Sequence, residues 1–237
     1  MYPIHDENPI TVKPYVTWVL LATCLIVFLW QFFSGESRLA ESIYALGVTP
    51  AVLFNLFELP ASLVWLPAEA TIFTSMFLHA GWGHLIGNLL YLWVFGNNIE
   101  AALGRVKFII FYLLCGVAAV FAQALPAIES QIPMVGASGA ISGVLGAYIL
   151  LYPQVTVHVI VPVLVYPLRL QMSALVVLGF WFGMQLISSV MSSGEGGGVA
   201  FGAHIGGFVA GLLLVGFFKR PDVPIRLPFR DYVPFQR

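Results

Sequence analysis

The chain has 237 residues, of which 59% are hydrophobic and only 9% are charged. A soluble domain has about 25% charged residues, so the composition excludes an ordinary soluble protein and a disordered chain. The net charge of −1 also leaves no excess of basic residues with which to bind nucleic acid. We therefore expect the lipid bilayer to be the solvent around most of the protein.

Six apolar stretches are predicted to cross the bilayer as helices, because a crossing needs about 17–25 residues and lipid offers no partner for a free backbone group. They are 16–33, 83–99, 106–125, 138–152, 172–190 and 200–218. Two further stretches, 51–66 and 155–168, are interrupted by prolines and are predicted to lie at the interface. The predicted fold is an all-α membrane protein with six transmembrane helices over residues 16–219, flanked by segments 1–15 and 220–237.

Basic residues predict the orientation of this bundle. If the N-terminus is inside, nine of the ten Lys and Arg residues lie on the inner side and only Arg38 lies outside. This distribution follows the positive-inside rule, which the opposite orientation would violate. Both flanking segments are then cytosolic, and the connection that carries Glu195 lies outside. The short ends, without a transit peptide, favour a bacterial inner membrane over an organelle.

Four polar side chains stand out within the predicted spans. His84 and Asn88 lie at the start of the second helix. Ser138 begins the fourth helix, and His204 lies near the start of the sixth. Because the even-numbered helices all run from outside to inside, these residues share one depth near the outer face. A polar side chain inside a membrane is costly and is functional by default.

Glycines on two of these helices predict that Ser138 and His204 meet. Gly207 and Gly211 form a stripe below His204, and small residues such as Gly139 line the fourth helix. Small residues let two helix backbones approach closely. A serine–histidine hydrogen bond of about 2.6–3.2 Å requires such an approach.

These residue types suit acyl transfer. Serine is a weak nucleophile that needs a neighbouring base, and His204 is the histidine placed for that work. No Asp or Glu lies at the same depth, so the prediction is a Ser–His dyad. Ser138 begins a helix, where the free backbone N–H groups favour a developing anion. His84 and Asn88, spaced i, i+4 on one helix face, could supply further donors.

Three short motifs contain these residues, and a fourth follows the second span. They are His84-x-x-x-Asn88, Glu100-x-x-x-Gly104-Arg105, Gly136-Ala-Ser138-Gly139 and Ala203-His204-x-x-Gly207-x-x-x-Gly211. Together they resemble the motifs of the rhomboid family of intramembrane serine proteases, and the resemblance runs from Lys13 to Arg220. It implies the six-helix fold, with Ser138 as the nucleophile and His204 as the general base. It also implies an oxyanion site formed by His84, Asn88 and the Ser138 amide.

The resemblance further implies a substrate and its route. The substrate would be a single-span membrane protein that is cut in or near its transmembrane segment, without a cofactor. Trp181, Phe182 and Gln185 on the fifth helix would line a lateral entrance, with lipid contact or core packing as the alternative. Many family members carry an aromatic residue one turn after the nucleophile, stacked on the catalytic histidine. Ser142 occupies that position here, which leaves the support of the His204 ring open.

Two other functions compete with this interpretation. A metal-dependent enzyme or transporter could use His79, His84 and His204, since three histidines can bind zinc, but the chain has no His-Glu-x-x-His motif. A catalytically inactive rhomboid-like protein could bind membrane proteins without cutting them. Such relatives usually lack the serine or the histidine, and this chain has both. Glu100 and Arg105 are predicted to be structural, tying a loop to a helix end.

Overall fold

The computed structural model describes residues 1–10, 12–163, 166–191 and 200–226. Within these ranges the protein is mostly helical. The predicted outer position of Glu195, and most of the predicted cytosolic segment 220–237, lie outside the described residues.

Ten helices follow one another along the described chain. They are α1 (Tyr15–Phe33), α2 (Glu36–Leu46), α3 (Pro50–Leu53), α4 (Ala68–Thr74), α5 (Trp82–Tyr91), α6 (Asn97–Leu103), α7 (Arg105–Ala124), α8 (Ser138–Leu151), α9 (Ala174–Met191) and α10 (Phe201–Phe218). A π-helical turn at Leu92–Gly96 joins α5 to α6, so that residues 82–103 form one helical rod. Single 3₁₀ turns lie at Ala61–Leu63, Ser75–Phe77 and Leu125–Ala127.

A helix is present at each of the six predicted spans. Four of these helices, α1, α7, α9 and α10, are long and apolar enough to cross a membrane. The second span is interrupted by the π-helical turn. The fourth, α8, has 14 residues and is about 21 Å long, which is shorter than the hydrocarbon core of about 30 Å. The protein is therefore a helical membrane protein, while its count of six crossings stays a prediction.

The two proline-interrupted stretches contain no long helix. Residues 51–66 form the end of α3 and one 3₁₀ turn. Residues 155–168 are not helical: they form strand β2 (Thr156–Val163) and the start of strand β3 (Tyr166–Ser173). With β1 (Tyr2–Asp6), these strands make an antiparallel sheet in the order β1-β2-β3.

This sheet corrects the all-α prediction. Valine occurs at every second position from Val155 to Val163, and alternating β-branched residues favour a strand over a helix. Pro162 pairs with Pro167 across the hairpin, where the missing N–H groups of both prolines are tolerated near its end. Because β3 continues to Ser173, the fifth helix begins at Ala174 rather than at the predicted position 172.

Polar contacts hold the end of the bundle opposite to the candidate site. The buried Glu100 carboxylate accepts hydrogen bonds from Val16 N (3.0 Å), Thr17 N (2.7 Å) and Thr17 Oγ1 (2.8 Å) at the start of α1. These contacts satisfy N–H groups that have no partner within the helix. The structural role predicted for Glu100 is thereby confirmed.

The core of the bundle is built around α8, which packs against α7 and α10. A Cβ atom added at Gly207 would collide with the carbonyl of Gly139, and one added at Gly211 would collide with the carbonyl of Gly143. The two backbones therefore touch, as small-residue helix contacts in membranes allow. The close α8–α10 packing predicted from these glycines is confirmed.

Candidate active site

Ser138 and His204 form a direct hydrogen bond. The Ser138 Oγ atom lies 2.7 Å from Nε2 of His204, within the range in which a base can take a proton from a nucleophile. Ser138 is the first residue of α8 and is half-buried, whereas His204 lies in the first turn of α10 and is buried. The glycine contacts one and two turns further along bring these two helix starts together.

The start of α10 is held by a side chain from α7. Gln123 Oε1 accepts a hydrogen bond from the backbone N–H of Ala203 at 3.2 Å. This N–H belongs to the first turn of the helix, where backbone donors need partners from outside the helix. Gln123 therefore helps to set the position from which His204 projects toward Ser138.

The second ring nitrogen of His204 faces α9. Gln185 Oε1 lies 2.8 Å from His204 Nδ1, and the ring of Trp181 lies 5.7 Å from the His204 ring with an interplanar angle of 37°. Ser142 instead donates its hydroxyl hydrogen to the carbonyl of Ser138 at 2.6 Å. The support that an aromatic residue at position 142 would supply thus comes here from a different helix.

His84 lies next to the turn that precedes Ser138. Gly136 has a φ of 125°, a conformation that side-chain-bearing residues rarely adopt, and its N–H donates to Ser75 O at 2.8 Å. From the point that a Cβ on Gly136 would occupy, His84 Nε2 is 2.6 Å away and Ser138 Oγ is 3.6 Å away. Glycine at this position therefore leaves room for His84 beside the serine.

Asn88 is buried one turn after His84 on the same helix. Its side-chain amide donates to the backbone carbonyl of His84 at 3.0 Å. An asparagine amide has two hydrogens, and this bond uses one of them. The two predicted oxyanion residues thus lie one turn apart on α5, and His84 is the one that the distances around Gly136 place beside Ser138.

His79 is fully buried and lies against His84, with ring centroids 5.1 Å apart. Its backbone N–H donates to Gln31 Oε1 at 3.2 Å, whereas neither nitrogen of its buried ring has a hydrogen-bond partner among the described residues. No group of three His, Cys, Asp or Glu side chains that could hold a metal ion occurs in the described part of the chain. The metal-site alternative, which relied on His79, His84 and His204, gains no support.

Three glutamines around this site were not predicted from the sequence to support its residues. Each lies within an apolar helix: Gln31 accepts from His79 N, Gln123 accepts from Ala203 N, and Gln185 contacts His204 Nδ1. A signal was available, because a strongly polar side chain is costly at any depth in a span. Gln185 was predicted only to line a lateral entrance.

Comparison with known proteins agrees with the motifs. The family model of the rhomboid domain matches residues 68–221, a range that contains α4 to α10 and every candidate site residue. The chain belongs to the rhomboid family. The match is continuous and includes the turn before Ser138 and the helices that carry His84, Asn88 and His204.

Similar rhomboid proteins occur in bacteria and in mitochondria. The chain is 29% identical to rhomboid protease GluP of Bacillus subtilis over 85% of its own length and 35% of that relative. It is 30% identical to the mitochondrial rhomboid protein 1 of Saccharomyces cerevisiae over 72% and 51%, respectively. For rhomboid protease GlpG of Salmonella typhi the identity is 24% over 84% and 61%. The chain thus spans about a third to three fifths of the length of these relatives.

Proposed function

We propose that this rhomboid protein is an intramembrane serine endopeptidase with Ser138 as its nucleophile and His204 as its general base. The observation that carries the proposal is the distance of 2.7 Å between Ser138 Oγ and His204 Nε2. Similarity to relatives named as rhomboid proteases supports the same reaction class.

The proposed reaction has two steps. His204 Nε2 takes the proton of the Ser138 hydroxyl while Oγ attacks the carbonyl carbon of the scissile peptide bond. His204 then gives this proton to the leaving amine as the C–N bond breaks and an acyl-enzyme forms. In the second step a water molecule attacks the acyl group, again with His204 as base, and Ser138 regains its proton.

The negative charge that develops on the carbonyl oxygen needs preorganised donors. We assign the Ser138 N–H at the start of α8, the His84 ring and the second hydrogen of the Asn88 amide to this role. The distances around Gly136 support His84, because its Nε2 and Ser138 Oγ flank the same point.

The proposed substrate is a single-span membrane protein that enters sideways between α5 and α9. Contact between these helices includes the Tyr91 and Trp181 rings, whose centroids are 6.3 Å apart. Trp181 and Phe182 face Phe208 on α10 rather than lipid alone, with the Phe182 and Phe208 rings 4.4 Å apart. An entering segment would have to separate these aromatic contacts and unwind locally to reach Ser138.

Cleavage of a model substrate tests this function. Purified wild-type protein in detergent should cut a single-span substrate, whereas Ser138→Ala and His204→Ala should show no turnover. Ser34→Ala is a matched control, because the Ser34 side chain is exposed and its hydroxyl donates to the Trp30 carbonyl of its own helix. Normal cleavage by Ser138→Ala would end the assignment. Substrate binding without cleavage by the wild-type protein would instead support the inactive-relative alternative.

We also propose six crossings with both ends in the cytoplasm, in a bacterial inner membrane. Single cysteines report this orientation, since the native Cys24 and Cys115 are buried and should not react. Arg38 and Lys107 are both exposed on the surface of the protein, so the side of the membrane decides whether a cysteine at either position reacts. In intact cells an impermeant maleimide should label Arg38→Cys, on the outer side, and leave Lys107→Cys, on the inner side, unlabelled. The opposite pattern would invert the topology.

A further inference from the structure

The hydrogen-bond partners of the His204 ring define its tautomer. In a neutral imidazole one nitrogen carries the hydrogen and the other carries the lone pair, and the contact made by one decides the role of the other. An amide oxygen only accepts, so the contact of 2.8 Å between Gln185 Oε1 and Nδ1 requires the hydrogen on Nδ1. Nε2 is then left with the lone pair that faces the Ser138 hydroxyl.

A second contact determines which way the Gln185 amide points. Its Nε2 donates to the backbone carbonyl of Trp181 at 3.5 Å, one turn earlier on α9. The opposite orientation would bring the amide oxygen against that carbonyl oxygen, which cannot form a hydrogen bond. The amide oxygen is therefore the atom presented to His204.

We propose that Gln185 is a positioning residue for the general base. The proposal rests on the proposed function and assigns to this chain's α9 a task that a buried aspartate performs in Ser–His–Asp enzymes. During acylation the proton of Ser138 Oγ moves to Nε2, and the Nδ1 hydrogen stays on His204, donated to Gln185 Oε1. Gln185 contributes orientation and tautomer, and it adds no charge.

The packing of α9 makes this contact depend on where the helix lies. Its buried residues, Ala174, Val177 and Leu178, are all near its start. From Gly179 to Met191 the described side chains are half-buried or exposed. The outer part of α9 is joined to α10 by the Gln185–His204 bond and by the aromatic contacts of Trp181 and Phe182. Displacement of this part of α9 would therefore leave the base without its orienting partner.

Three variants of Gln185 test the proposal in the purified protein. Gln185→Leu and Gln185→Ala remove the acceptor and should lower kcat by about 10- to 10²-fold, with KM nearly unchanged. Gln185→Glu keeps an acceptor oxygen and should recover kcat to within a few-fold of wild type. Met184→Ala, exposed on the adjacent position of α9, is the matched control and should leave kcat unchanged.

The tautomer of His204 can be measured directly, and it should not change if Gln185 only stabilises the fold. With ¹⁵N-labelled histidine at neutral pH, the His204 signals should report a hydrogen on Nδ1 in the wild type and in Gln185→Glu. They should report a mixture of tautomers in Gln185→Leu. His204→Asn identifies these signals by their loss from the spectrum.

The outcomes separate the two proposals. If Ser138→Ala is inactive while Gln185→Leu retains wild-type kcat and tautomer, the positioning role is wrong and the protease function stands. If Gln185→Glu is as impaired as Gln185→Leu although both remain folded by thermal unfolding, the role is also overturned. Cleavage by Ser138→Ala would contradict the protease function itself, whatever the Gln185 variants do.

Discussion

The contact between α8 and α10 differs sharply from the attachment of α9. In α8, 11 of 14 residues are buried, and its glycine carbonyls touch the glycines of α10. In α9, three of 18 residues are buried, all near the start of the helix. The proposed nucleophile and base therefore lie on two closely packed helices, α8 and α10. The side chains proposed to orient the base lie on α9, which is only weakly buried. In the proposed function, α8 and α10 set the geometry of the reaction, and α9 lies where the substrate would enter.

Adding one methyl group should disrupt the close packing of α8 against α10. A Cβ at Gly207 would collide with the carbonyl of Gly139, so Gly207→Ala must separate α8 from α10 and pull His204 away from Ser138. We expect cleavage to fall by at least about 10²-fold and the free energy of unfolding to fall by about 1–3 kcal/mol. Peptidase assays and thermal unfolding in detergent measure the two effects.

Gly179→Ala on α9 is the control for this change. A Cβ there would meet nothing within 4 Å, so activity and stability should stay near those of the wild type. Equal losses in both variants would show that the α8–α10 contact has no special role.

Removing one proposed oxyanion donor tests the third helix of the site. Asn88→Ala should lower kcat by about 10²-fold with little change in KM, because the donor acts on charge that develops only in the transition state. Steady-state kinetics with a single-span substrate separate the two constants. An unchanged kcat would remove Asn88 from the oxyanion site while leaving the Ser138–His204 pair intact.

A smaller loss is expected when the turn before Ser138 is altered. Gly136→Ala combines backbone strain at a φ of 125° with a methyl group 2.6 Å from His84 Nε2, so it should displace His84 and lower kcat about tenfold. Gly35→Ala is the matched control, since its φ is 89° but its Cβ would meet nothing. If both variants lose the same activity, strain alone would explain the loss, and His84 would have no part in it.

The smallest effect on catalysis should come from the far end of the bundle, where Asp6 accepts hydrogen bonds from Tyr148 and Asn98. Burial raises the pKa of Asp6 from 3.8 to about 6, against the opposing effect of the Tyr148 hydrogen bond. The folded protein thus binds this proton more tightly than the unfolded chain does. Its free energy of unfolding should fall by up to about 3 kcal/mol as pH rises from about 4 to about 6, and then level off.

Asp6→Asn should flatten that pH dependence and leave kcat at neutral pH close to that of the wild type. Asp222→Asn, at an exposed ion pair with Arg220, is the control and should keep the dependence. Thermal unfolding over a pH series measures both variants. An unchanged slope in Asp6→Asn would assign the pH dependence to other groups.

Much of this molecule follows from the sequence because the bilayer restricts the choices. Apolar length predicted a helix at six places where the structure has one, and the shared depth of helix starts predicted that Ser138 and His204 meet. The glycine stripe of α10 then indicated how the two backbones approach. Each of these inferences uses a one-dimensional property, either length, depth or helical spacing.

The remaining features depend on contacts between segments far apart in the chain. The sheet was missed because residues 155–168 were tested for the length of a crossing and not for the alternation of valines, and because β1 pairs with a strand about 150 residues away. Gln185 was not linked to His204 because the side of α9 that contacts α10 depends on how the side chains of the two helices pack. Ser142 showed only that the histidine lacked its usual support, not where another support would come from.

The carboxylate of Glu100 has a consequence for how the protein is made. It binds the start of α1 from a position 84 residues later in the chain. When α1 leaves the ribosome, the group that satisfies Val16 and Thr17 has not yet been synthesised. The first helix must therefore form before its N-terminal backbone groups have these partners, and its start can be fixed in place only after the helical rod of residues 82–103 has been made.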